Sequence, residues 1–227
     1  MKGVDDMKKI LRSTLVLLFI GSIILGTIKL YPVVATGYDM YQSAVNNKSI
    51  IEKVDEIKNK DHYIGLKEIP KAYQTALLKS EDKRFYYHFG MDPLATARAM
   101  FNNIIERRYA QGGSTLTQQL AKNMYFSFDK KVERKVAELF VAFDLERQLT
   151  KDEILELYCN IAYFGEGCYG LEEASNHYYS VSPEDLNQMQ IEALVWTLKS
   201  PNNYNPNVYE KAVLKEKLIK YCAIKTF

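Results

Sequence analysis

The chain has 227 residues, of which 47% are hydrophobic and 26% are charged, and its formal net charge is +2. These values are typical of a folded protein with one domain of moderate size. Nucleic-acid-binding proteins usually show clustered basic residues, whereas here Lys and Arg are mixed with acids almost everywhere, so no nucleic-acid partner is expected.

The first element along the chain is an uncharged run at residues 13–28, with the sequence STLVLLFIGSIILGTI. As a helix this run would be about 24 Å long, slightly short of a bilayer core, and Arg12 and Lys29 can extend the span by snorkelling. We therefore expect a transmembrane anchor at residues 13–30. A cleaved signal peptide is the alternative, although Val34-Ala35-Thr36 is a poor cleavage site.

Basic residues before this run predict its orientation, because positive charge is retained on the cytoplasmic side of a membrane. They are Lys2, Lys8, Lys9 and Arg12. A cytoplasmic tail at residues 1–12 and an extracytoplasmic remainder are expected. Residues 31–64 are polar and mixed in charge, which predicts a connector, and residues 65–227 form the predicted folded domain.

Apolar side chains recur at helical spacing through most of this domain. Asp92-Pro93 is a cap followed by a first-turn proline, and Thr150 with Glu153 forms a capping box. The glycines at 165, 167 and 170 predict a turn-rich loop. We find no convincing alternating strand, so the sequence predicts an all-α fold. Its expected helices cover residues 70–81, 93–105, 115–123, 131–149, 151–161 and 182–199.

The helix at 70–81 ends in two adjacent acids, Glu81 and Asp82, within the stretch SEDKRFYYHFG. An acid at a helix C-terminus opposes the helix dipole, an unfavourable placement that a function could explain. The aromatic residues that follow would desolvate a carboxylate and favour its use as a general acid or base. A solvated acidic pair at the helix end is the alternative.

The same stretch matches S-x-x-K at Ser80–Lys83, the nucleophile motif of penicillin-binding enzymes. Those enzymes also need S-D-N and K-T-G motifs after the serine, which this sequence does not offer in a separate domain. We therefore interpret Ser80 as a helix-end residue.

A second acid, Glu138, lies in the run RKVAELFVAFDLE. Arg134 and Lys135 precede it by about one turn, so both cations share a helix face with the acid. An ordinary surface with salt bridges would have the same pattern.

The stretch QGGSTLTQQLAKN places two glycines and two hydroxyl residues before a helix. Backbone N–H groups and hydroxyls at a helix start can bind an anion or a sugar phosphate, although the P-loop pattern is absent. Four cations within fourteen residues suit a diphosphate, or else form a charged exposed face: Lys122, Lys130, Arg134 and Lys135.

Together these motifs resemble one family. The stretches EDKRFYYHFG, GGSTLTQQLAKN, RKVAELFVAFDLE, KDEILELYCNIAYFGEGCYG and KSPNNYNP look like the five successive motifs of the peptidoglycan glycosyltransferases, glycosyltransferase family 51. The resemblance covers roughly residues 65–210. It implies a lysozyme-like glycosyltransferase domain of the monofunctional form, with a membrane-associated hydrophobic subdomain, held at the bacterial cell membrane by a single N-terminal helix.

The resemblance also implies a reaction and residue roles. Members of the family join lipid II disaccharide-peptide units into β-1,4 glycan strands with inversion, and they release polyprenyl diphosphate. Glu81 matches the catalytic general base, and Glu138 matches the second catalytic glutamate near the donor diphosphate. The implied substrate-binding residues are Asp82, Gly112, Ser114, Gln118, Gln119, Lys122, Lys130, Arg134 and Lys135.

Further implications concern cofactors and partners. No cofactor is required with certainty, and a divalent cation, Mg or Mn, is a candidate with Glu138 as its ligand. The expected partners are lipid II, the growing lipid-linked glycan chain and the membrane. Penicillin-binding proteins and other cell-wall synthesis proteins are candidate protein partners.

Several positions extend the family pattern or depart from it. The fourth motif, with Glu156 and Asn160, is interpreted as mainly structural. Lys199 stands where the fifth motif often has another residue and is expected to lie away from the chemistry. Cys159 and Cys168 also depart from the pattern; we interpret them as packing residues, with a bridge between them left open.

A set of apolar residues around the second motif has two interpretations. They belong either to the core or to the implied hydrophobic subdomain near the lipid substrate, since an exposed apolar patch would otherwise be a liability. The residues are Met100, Phe101, Ile104, Ile105, Met124, Tyr125, Phe126 and Phe128.

Two other functions stay open at this point. A glycan-cleaving enzyme of lysozyme type would also use a glutamate in an all-α fold, but it needs no diphosphate-binding cluster. An inactive membrane-anchored scaffold would not need both glutamates.

Overall fold

The computed structural model describes residues 2–106, 112–126 and 131–208. Helices dominate these ranges, and the predicted all-α fold is confirmed. Short 3-10 helices lie at Phe85–Tyr87 and Pro183–Asp185, and strands β1 (Tyr163–Gly165) and β2 (Cys168–Tyr169) pair as an antiparallel hairpin. The α-helices are α1 (Lys2–Asn47), α2 (Ile50–Lys58), α3 (Lys71–Glu81), α4 (Pro93–Ile105), α5 (Leu116–Tyr125), α6 (Val132–Gln148), α7 (Lys151–Ile161), α8 (Leu171–Tyr179), α9 (Gln188–Thr197) and α10 (Pro201–Tyr204).

Side-chain caps determine where several helices begin. Thr150 accepts a hydrogen bond from the Glu153 N–H, and the Glu153 carboxylate accepts one from the Thr150 N–H, so the predicted capping box is confirmed. Thr115 and Gln118 make the same arrangement at the start of α5. The five helices predicted between residues 70 and 161 agree with α3 to α7 to within about two residues.

The structure differs from the sequence expectation after α7. The predicted glycine loop contains the hairpin of β1 and β2, and α8 follows it. The helix predicted from Ser182 to Lys199 is instead a 3-10 turn followed by α9. Asn187 and Gln190 form a capping box, which starts a new helix at that point.

The N-terminal helix is longer than the predicted anchor. α1 is continuous from Lys2 to Asn47 and includes Pro32. Its part from Thr14 to Asn47 is long and apolar enough to cross a membrane, and its most apolar stretch is not buried against the rest of the chain. Exposed apolar surface of this extent suits lipid rather than water, which agrees with the predicted anchor.

The C-terminal part of α1 packs against α6. Tyr41 packs on Phe140 with ring centroids 5.5 Å apart, and its hydroxyl donates a hydrogen bond to Asp144. Gly37 permits the close approach, because a Cβ at this position would lie 2.6 Å from the Cβ of Val136. The residues that follow the apolar run are therefore in direct contact with the folded domain.

The range 31–64, predicted as a connector, is helical over most of its length. Besides the end of α1 it holds α2, which begins at a capping box between Ser49 and Glu52. One face of α2 is buried in the core through Ile50, Val54 and Ile57. The mixed polar sequence obscured this face, although its residues recur at helical spacing.

The core that supports the functional site is formed mainly by α5, α6 and α7. Leu120 of α5, Leu145 of α6 and Leu155 of α7 are fully buried. α3 packs against α9, and Glu81 is the last residue of α3. The predicted base is therefore carried by a helix that rests on α9, whereas the predicted cations are carried by α5 and α6.

Of the apolar residues around the second motif, some belong to the core and others lie on an exposed surface. Met124 is buried in the core, and Tyr125 and Phe126 pack against it. Phe128 lies outside the described residues. Side chains of α4 are instead 63% to 67% exposed: Leu94, Met100, Phe101, Ile104 and Ile105. α4 thus presents an apolar surface to its surroundings, as a membrane-facing element would.

The cysteines of the fourth motif pack as apolar residues. Cys159 and Cys168 are buried free thiols, so the bridge left open by the sequence is not formed. Burial raises the pKa of the Cys159 thiol far above its ordinary value, which makes the thiol unreactive. Cys222 lies outside the residues that the structure describes.

Two residues of α7 hold the segment between α2 and α3. Asn160 accepts a hydrogen bond from the Ile64 N–H at 2.9 Å and donates one to the Ile64 carbonyl at 2.8 Å. Glu156 accepts hydrogen bonds from the Tyr63 hydroxyl and the Leu66 N–H. These contacts agree with a structural interpretation of the fourth motif.

Asn160→Ala should lower the free energy of unfolding by about 1–3 kcal/mol, because it leaves two backbone groups of Ile64 without their partner. Chemical denaturation of the detergent-solubilised chain measures this loss. Asn176→Ala is the matched control, since Asn176 is exposed and bonds to Glu172 on its own helix. Equal losses in the two variants would contradict the bracing role of Asn160.

Candidate active site

A large cleft lies beside the end of α3. Its volume is about 1910 Å³, which is enough for a ligand larger than one sugar. The cleft is lined by α3 and α9, by the loop after α3, by α4 with residues 112–115, and by side chains of α5 and α6. The first, second, third and fifth motifs of the sequence therefore meet at one cavity.

The lining of the cleft is strongly basic. Among the residues that the structure describes, eight Lys and Arg residues line it against four Asp and Glu residues. A concave surface with this excess of positive charge attracts anionic ligands. The basic residues are Lys71, Lys79, Lys83, Arg84, Arg98, Lys122, Lys135 and Lys199, and the acidic ones are Glu81, Asp82, Asp92 and Glu192.

Glu81 lies in this cleft, with its side chain only 11% exposed. Its carboxylate accepts hydrogen bonds from Gln119 Nε2 at 3.2 Å and from Ser80 Oγ at 3.1 Å. Gln119 in turn accepts one from the buried Tyr158 hydroxyl at 3.0 Å. Glu81 is therefore an oriented carboxylate in a cavity, not a solvated acid at a helix end.

Asp82 is buried and bonded on two sides. Its carboxylate lies 2.9 Å from His88 Nε2 and accepts a hydrogen bond from the Leu116 N–H, also at 2.9 Å. It therefore joins the loop after α3 to the first residue of α5. These protein partners favour a positioning role, and a direct contact between Asp82 and substrate stays a prediction.

A second carboxylate closes the same loop. Asp92 accepts hydrogen bonds from Arg84 Nε at 2.8 Å and Arg84 Nη2 at 2.6 Å, and it also caps α4 through the Ala95 N–H. The hydrogen bond from Arg84 lowers the pKa of Asp92 below its ordinary value. The loop that follows Glu81 is thus fixed to both α4 and α5.

The residues of the second motif divide into two sets. Gly112, Ser114 and Gln119 line the cleft. Gln118 is instead buried in the capping box of α5, where its side-chain oxygen accepts a hydrogen bond from the Thr115 N–H at 3.1 Å. Of the two glutamines predicted to bind substrate, Gln119 lines the cleft, whereas Gln118 is not among the residues that line it.

Lys122 and Lys135 are the predicted diphosphate-binding cations that line the cleft. Desolvation lowers the pKa of the partly buried Lys122; Glu138 acts in the opposite direction, and Lys135 and Arg134 lower the pKa further. An ammonium in such surroundings is stabilised when an anion binds beside it. Lys130 lies outside the described residues.

Glu138 lies beneath these cations and is not among the residues that line the cleft. Its side chain is 0% exposed, with Lys135 Nζ 2.6 Å and Arg134 Nε 3.2 Å from its two oxygens. This face of α6 is therefore not an ordinary exposed salt-bridged surface. The buried acid compensates for cations that would otherwise repel one another.

The donors around Glu138 decide how a divalent cation could bind. Among the described residues, no group of three or more His, Cys, Asp and Glu side chains could hold a metal ion. Mg²⁺ takes several oxygen ligands, and Glu138 offers one carboxylate that already pairs with two cations. Further oxygens would have to come from a bound phosphate, so a divalent cation stays a prediction.

Lys199 corrects one expectation from the sequence. It was expected to lie away from the chemistry, but its Nζ lies 3.8 Å from Glu81 Oε1, and it lines the cleft with Trp196 and Tyr204. The spacing of Glu192 and Trp196 along α9 could have indicated a shared helix face, and Lys199 follows shortly after the end of that helix. Their proximity to Glu81 depends on the packing of α3 against α9, which the sequence does not show.

The sequence that forms this cleft, with its fixed glutamate and its cations, matches a known protein family. The family model described as Transglycosylase matches residues 47–222. The chain belongs to the transglycosylase family. The family recognised from the five motifs is thereby confirmed, and the match begins early enough to include α2, before the domain boundary predicted at residue 65.

Individual relatives agree with this assignment. Penicillin-binding protein 1F of Bacillus subtilis (strain 168) is 41% identical over 143 residues, which are 63% of this chain and 20% of that protein. The monofunctional glycosyltransferase of Staphylococcus aureus (strain JH9) is 37% identical over 72% of this chain and 63% of the relative. The monofunctional glycosyltransferase of Staphylococcus epidermidis is 36% identical over 73% of this chain and 62% of the relative. The chain thus spans less than two thirds of the length of these relatives.

Glu138→Gln should lower the pKa of Lys122 further, because it removes the acid that raises this pKa while Arg134 and Lys135 remain. Acylation of Lys122 by a small amine-reactive reagent, followed by mass spectrometry across pH, measures the change. The free amine is the reactive form, so the pH at which acylation of Lys122 is half-maximal, the midpoint, should decrease.

The control for this change is Glu133→Gln on the same helix, since Glu133 is not among the charges that shift the pKa of Lys122. Its midpoint should match that of the unmodified chain. A midpoint that does not move in Glu138→Gln would contradict the electrostatic coupling between Glu138 and Lys122.

Proposed function

We propose that the chain is a peptidoglycan glycosyltransferase, which polymerises lipid II into β-1,4 glycan strands and releases polyprenyl diphosphate. The observation that carries this proposal is that the nearly buried Glu81 lines the same cleft as Lys122 and Lys135. A base that activates a hydroxyl and cations that stabilise a departing diphosphate are the two requirements of this displacement. Both requirements are met by residues of one cavity.

Glu81 is the general base in this proposal. It accepts the proton of the acceptor sugar hydroxyl as that oxygen forms a bond to the anomeric carbon of the donor chain. The bond between this carbon and the diphosphate oxygen breaks on the opposite side, so the configuration inverts. Because Gln119 and Ser80 already hold the carboxylate, little reorganisation is needed when the acceptor binds.

Lys122 and Lys135 bind the diphosphate of the donor and stabilise the negative charge that develops as it leaves. Burial makes the charge of Lys122 unfavourable, so a bound anion interacts more strongly with this lysine than with an exposed one. Arg134, which contacts Glu138, extends the positive charge along α6. The predicted contribution of Lys130 belongs to the same group.

Glu138, the second predicted catalytic glutamate, acts in this proposal through the cations it holds. Its two oxygens lie on Arg134 and Lys135, and its side chain does not reach the cleft. It keeps the cations close together and oriented before the substrate arrives. Loss of this acid would therefore weaken the diphosphate site without removing a group that touches the sugar.

The apolar surfaces of the chain suit a lipid-linked substrate. α1 includes a segment apolar enough to cross a membrane, and α4 exposes apolar side chains beside the cleft that it lines. We propose that α1 anchors the chain with its basic N-terminus in the cytoplasm, and that α4 is the hydrophobic subdomain in contact with lipid. The cleft would then receive the diphosphate near the membrane surface.

The alternatives account less well for the cleft. A lysozyme-like hydrolase needs two carboxyl groups around its substrate and no cationic site, whereas Lys122 and Lys135 line this cavity. An inactive scaffold would have no need for a buried acid beneath paired cations. The basic lining therefore favours transfer from a diphosphate donor.

The direct test supplies lipid II to the purified full chain in detergent and measures glycan polymer. The unmodified chain should form polymer, and Glu81→Gln should lose at least about 100-fold in rate, because general-base catalysis contributes roughly this much or more. Lys67→Gln, outside the cleft, should keep the normal rate. Cleavage of preformed glycan without polymer formation would instead support the hydrolase.

Inorganic pyrophosphate should inhibit polymerisation, and this inhibition should weaken as pH rises through the pKa of Lys122. Desolvation lowers that pKa, so the positive charge is present at lower pH and is lost earlier than for an exposed lysine. Lys122→Arg should retain inhibition to higher pH, because arginine stays protonated. The half-inhibitory pyrophosphate concentration between about pH 7 and about pH 10 measures both effects.

Lys58→Arg is the control for this experiment, since Lys58 ends α2 and does not line the cleft. It should behave as the unmodified chain does. Identical pH dependence in the unmodified chain and in Lys122→Arg would remove Lys122 from the diphosphate site.

A further inference from the structure

Two aromatic side chains stand in the basic cleft without a role in the chemistry described above. Trp196 of α9 stacks on Tyr204 of α10, with ring centroids 5.5 Å apart and an interplanar angle of 25°. Both line the cleft, and Trp196 remains 45% exposed. Exposed aromatic surface inside a polar cavity is typical of a site where a ligand covers it.

The aromatic pair is held in place by its surroundings. The Thr197 hydroxyl lies 3.1 Å from the Tyr204 carbonyl, which ties the residue after Trp196 to the end of α10. The buried Asn205 donates a hydrogen bond to the Pro201 carbonyl at 3.0 Å and so closes α10. The rings are therefore presented in a fixed orientation, which lowers the entropy cost of stacking a ligand on them.

Lys199 links this pair to the proposed base. Its Nζ lies 5.6 Å from the centroid of the Trp196 ring and 3.8 Å from Glu81 Oε1. At 3.8 Å the ammonium is beyond hydrogen-bond distance from the carboxylate, so both groups keep capacity for a hydroxyl between or beside them. The distance between the centroid of the Trp196 ring and Glu81 Oε1 therefore cannot exceed the sum of these two distances.

Polar side chains continue along the same face of α9. Glu192 lines the cleft about one turn before Trp196 and Gln188 about two turns before it, and Gln188 Nε2 donates a hydrogen bond to Glu192 at 2.8 Å. A pyranose ring has an apolar C–H face and a rim of hydroxyl and amide groups. An aromatic surface flanked by an amide, a carboxylate and an ammonium matches both parts of such a ring.

We propose that Trp196 and Tyr204 form a platform on which the acceptor sugar stacks, so that its attacking hydroxyl is held at Glu81. This inference rests on the proposed function and names the acceptor subsite of the same cleft. The platform serves the acceptor rather than the donor, because the diphosphate of the donor is bound by cations of α5 and α6, whereas the platform belongs to α9 and α10. The charged lining beside it does not suit a lipid tail.

The kinetic test uses the full chain and lipid II. Trp196→Ala should raise the half-saturating lipid II concentration by about threefold to about tenfold, which is the range expected for one lost aromatic stack, with a smaller effect on the maximal rate. Trp196→Phe keeps an aromatic face and should restore most of the affinity. Met189→Ala is the matched control, since Met189 is an exposed residue of α9 that does not line the cleft.

A second test does not depend on activity or on the folding of a variant. Trp196 is the single tryptophan of the chain, so its fluorescence reports on this position alone. Titration of the unmodified chain with the soluble disaccharide-peptide, which lacks the lipid diphosphate, should change the intensity or the emission maximum in a saturable way. Inorganic pyrophosphate alone should leave the fluorescence unchanged.

The outcomes distinguish a failure of the proposed function from a failure of the proposed platform. No polymer from the unmodified chain would overturn the proposed function. A chain that polymerises lipid II, with Trp196→Ala unchanged in its half-saturating concentration, would overturn the platform and leave the proposed function standing. If Trp196→Ala does not fold, the fluorescence titration decides, and a flat response to the disaccharide-peptide overturns the platform.

Discussion

The carboxylate of Asp82 is the contact on which the geometry of the cleft depends. It lies against His88 and accepts the N–H of Leu116, so it fastens the loop after α3 to the start of α5. Those two helices carry Glu81 and Lys122, the proposed base and a proposed diphosphate ligand. A buried carboxylate that lost such partners would cost several kcal/mol, so the tie resists displacement. Asp82, together with the hydrogen bond from Gln119 to Glu81, therefore sets the position of the helix that carries the base relative to the helix that carries the cation.

On the other side of the cleft, a second buried carboxylate, Glu138, holds the positive charges in place. Lys122 is partly desolvated and has cationic neighbours, and the fully buried Glu138 lies below them between Arg134 and Lys135. Glu138 raises the pKa of Lys122, but desolvation, with smaller contributions from Lys135 and Arg134, still lowers it overall. An anion bound beside Lys122 would favour its charged form. In the proposed reaction, such preorganised charge would stabilise the leaving diphosphate better than mobile surface lysines could.

Much of the fold could be predicted from the sequence because its determinants are local. Apolar periodicity and capping residues indicated α3 to α7, and five short motifs indicated the family. The strands of the hairpin are too short for a periodic signal, and the break at Asn187 depends on its cap. Burial of Glu138 could not be predicted, because an ion pair at helical spacing looks the same on a surface and in a core. Lys199 was misplaced because its proximity to Glu81 arises from helices far apart in the sequence.

The unbroken course of α1 has a mechanical consequence. The helix continues without a loop from its apolar segment to the part that packs against α6. There Gly37 permits the close approach of the two helices. A spanning helix whose apolar stretch is longer than the bilayer core can accommodate the mismatch by tilting. In the proposed membrane arrangement, α6, which carries Arg134, Lys135 and Glu138, would move with the end of α1 that packs against it. Lipid composition would then govern the angle at which the cavity meets a head group, without any change in the cavity itself.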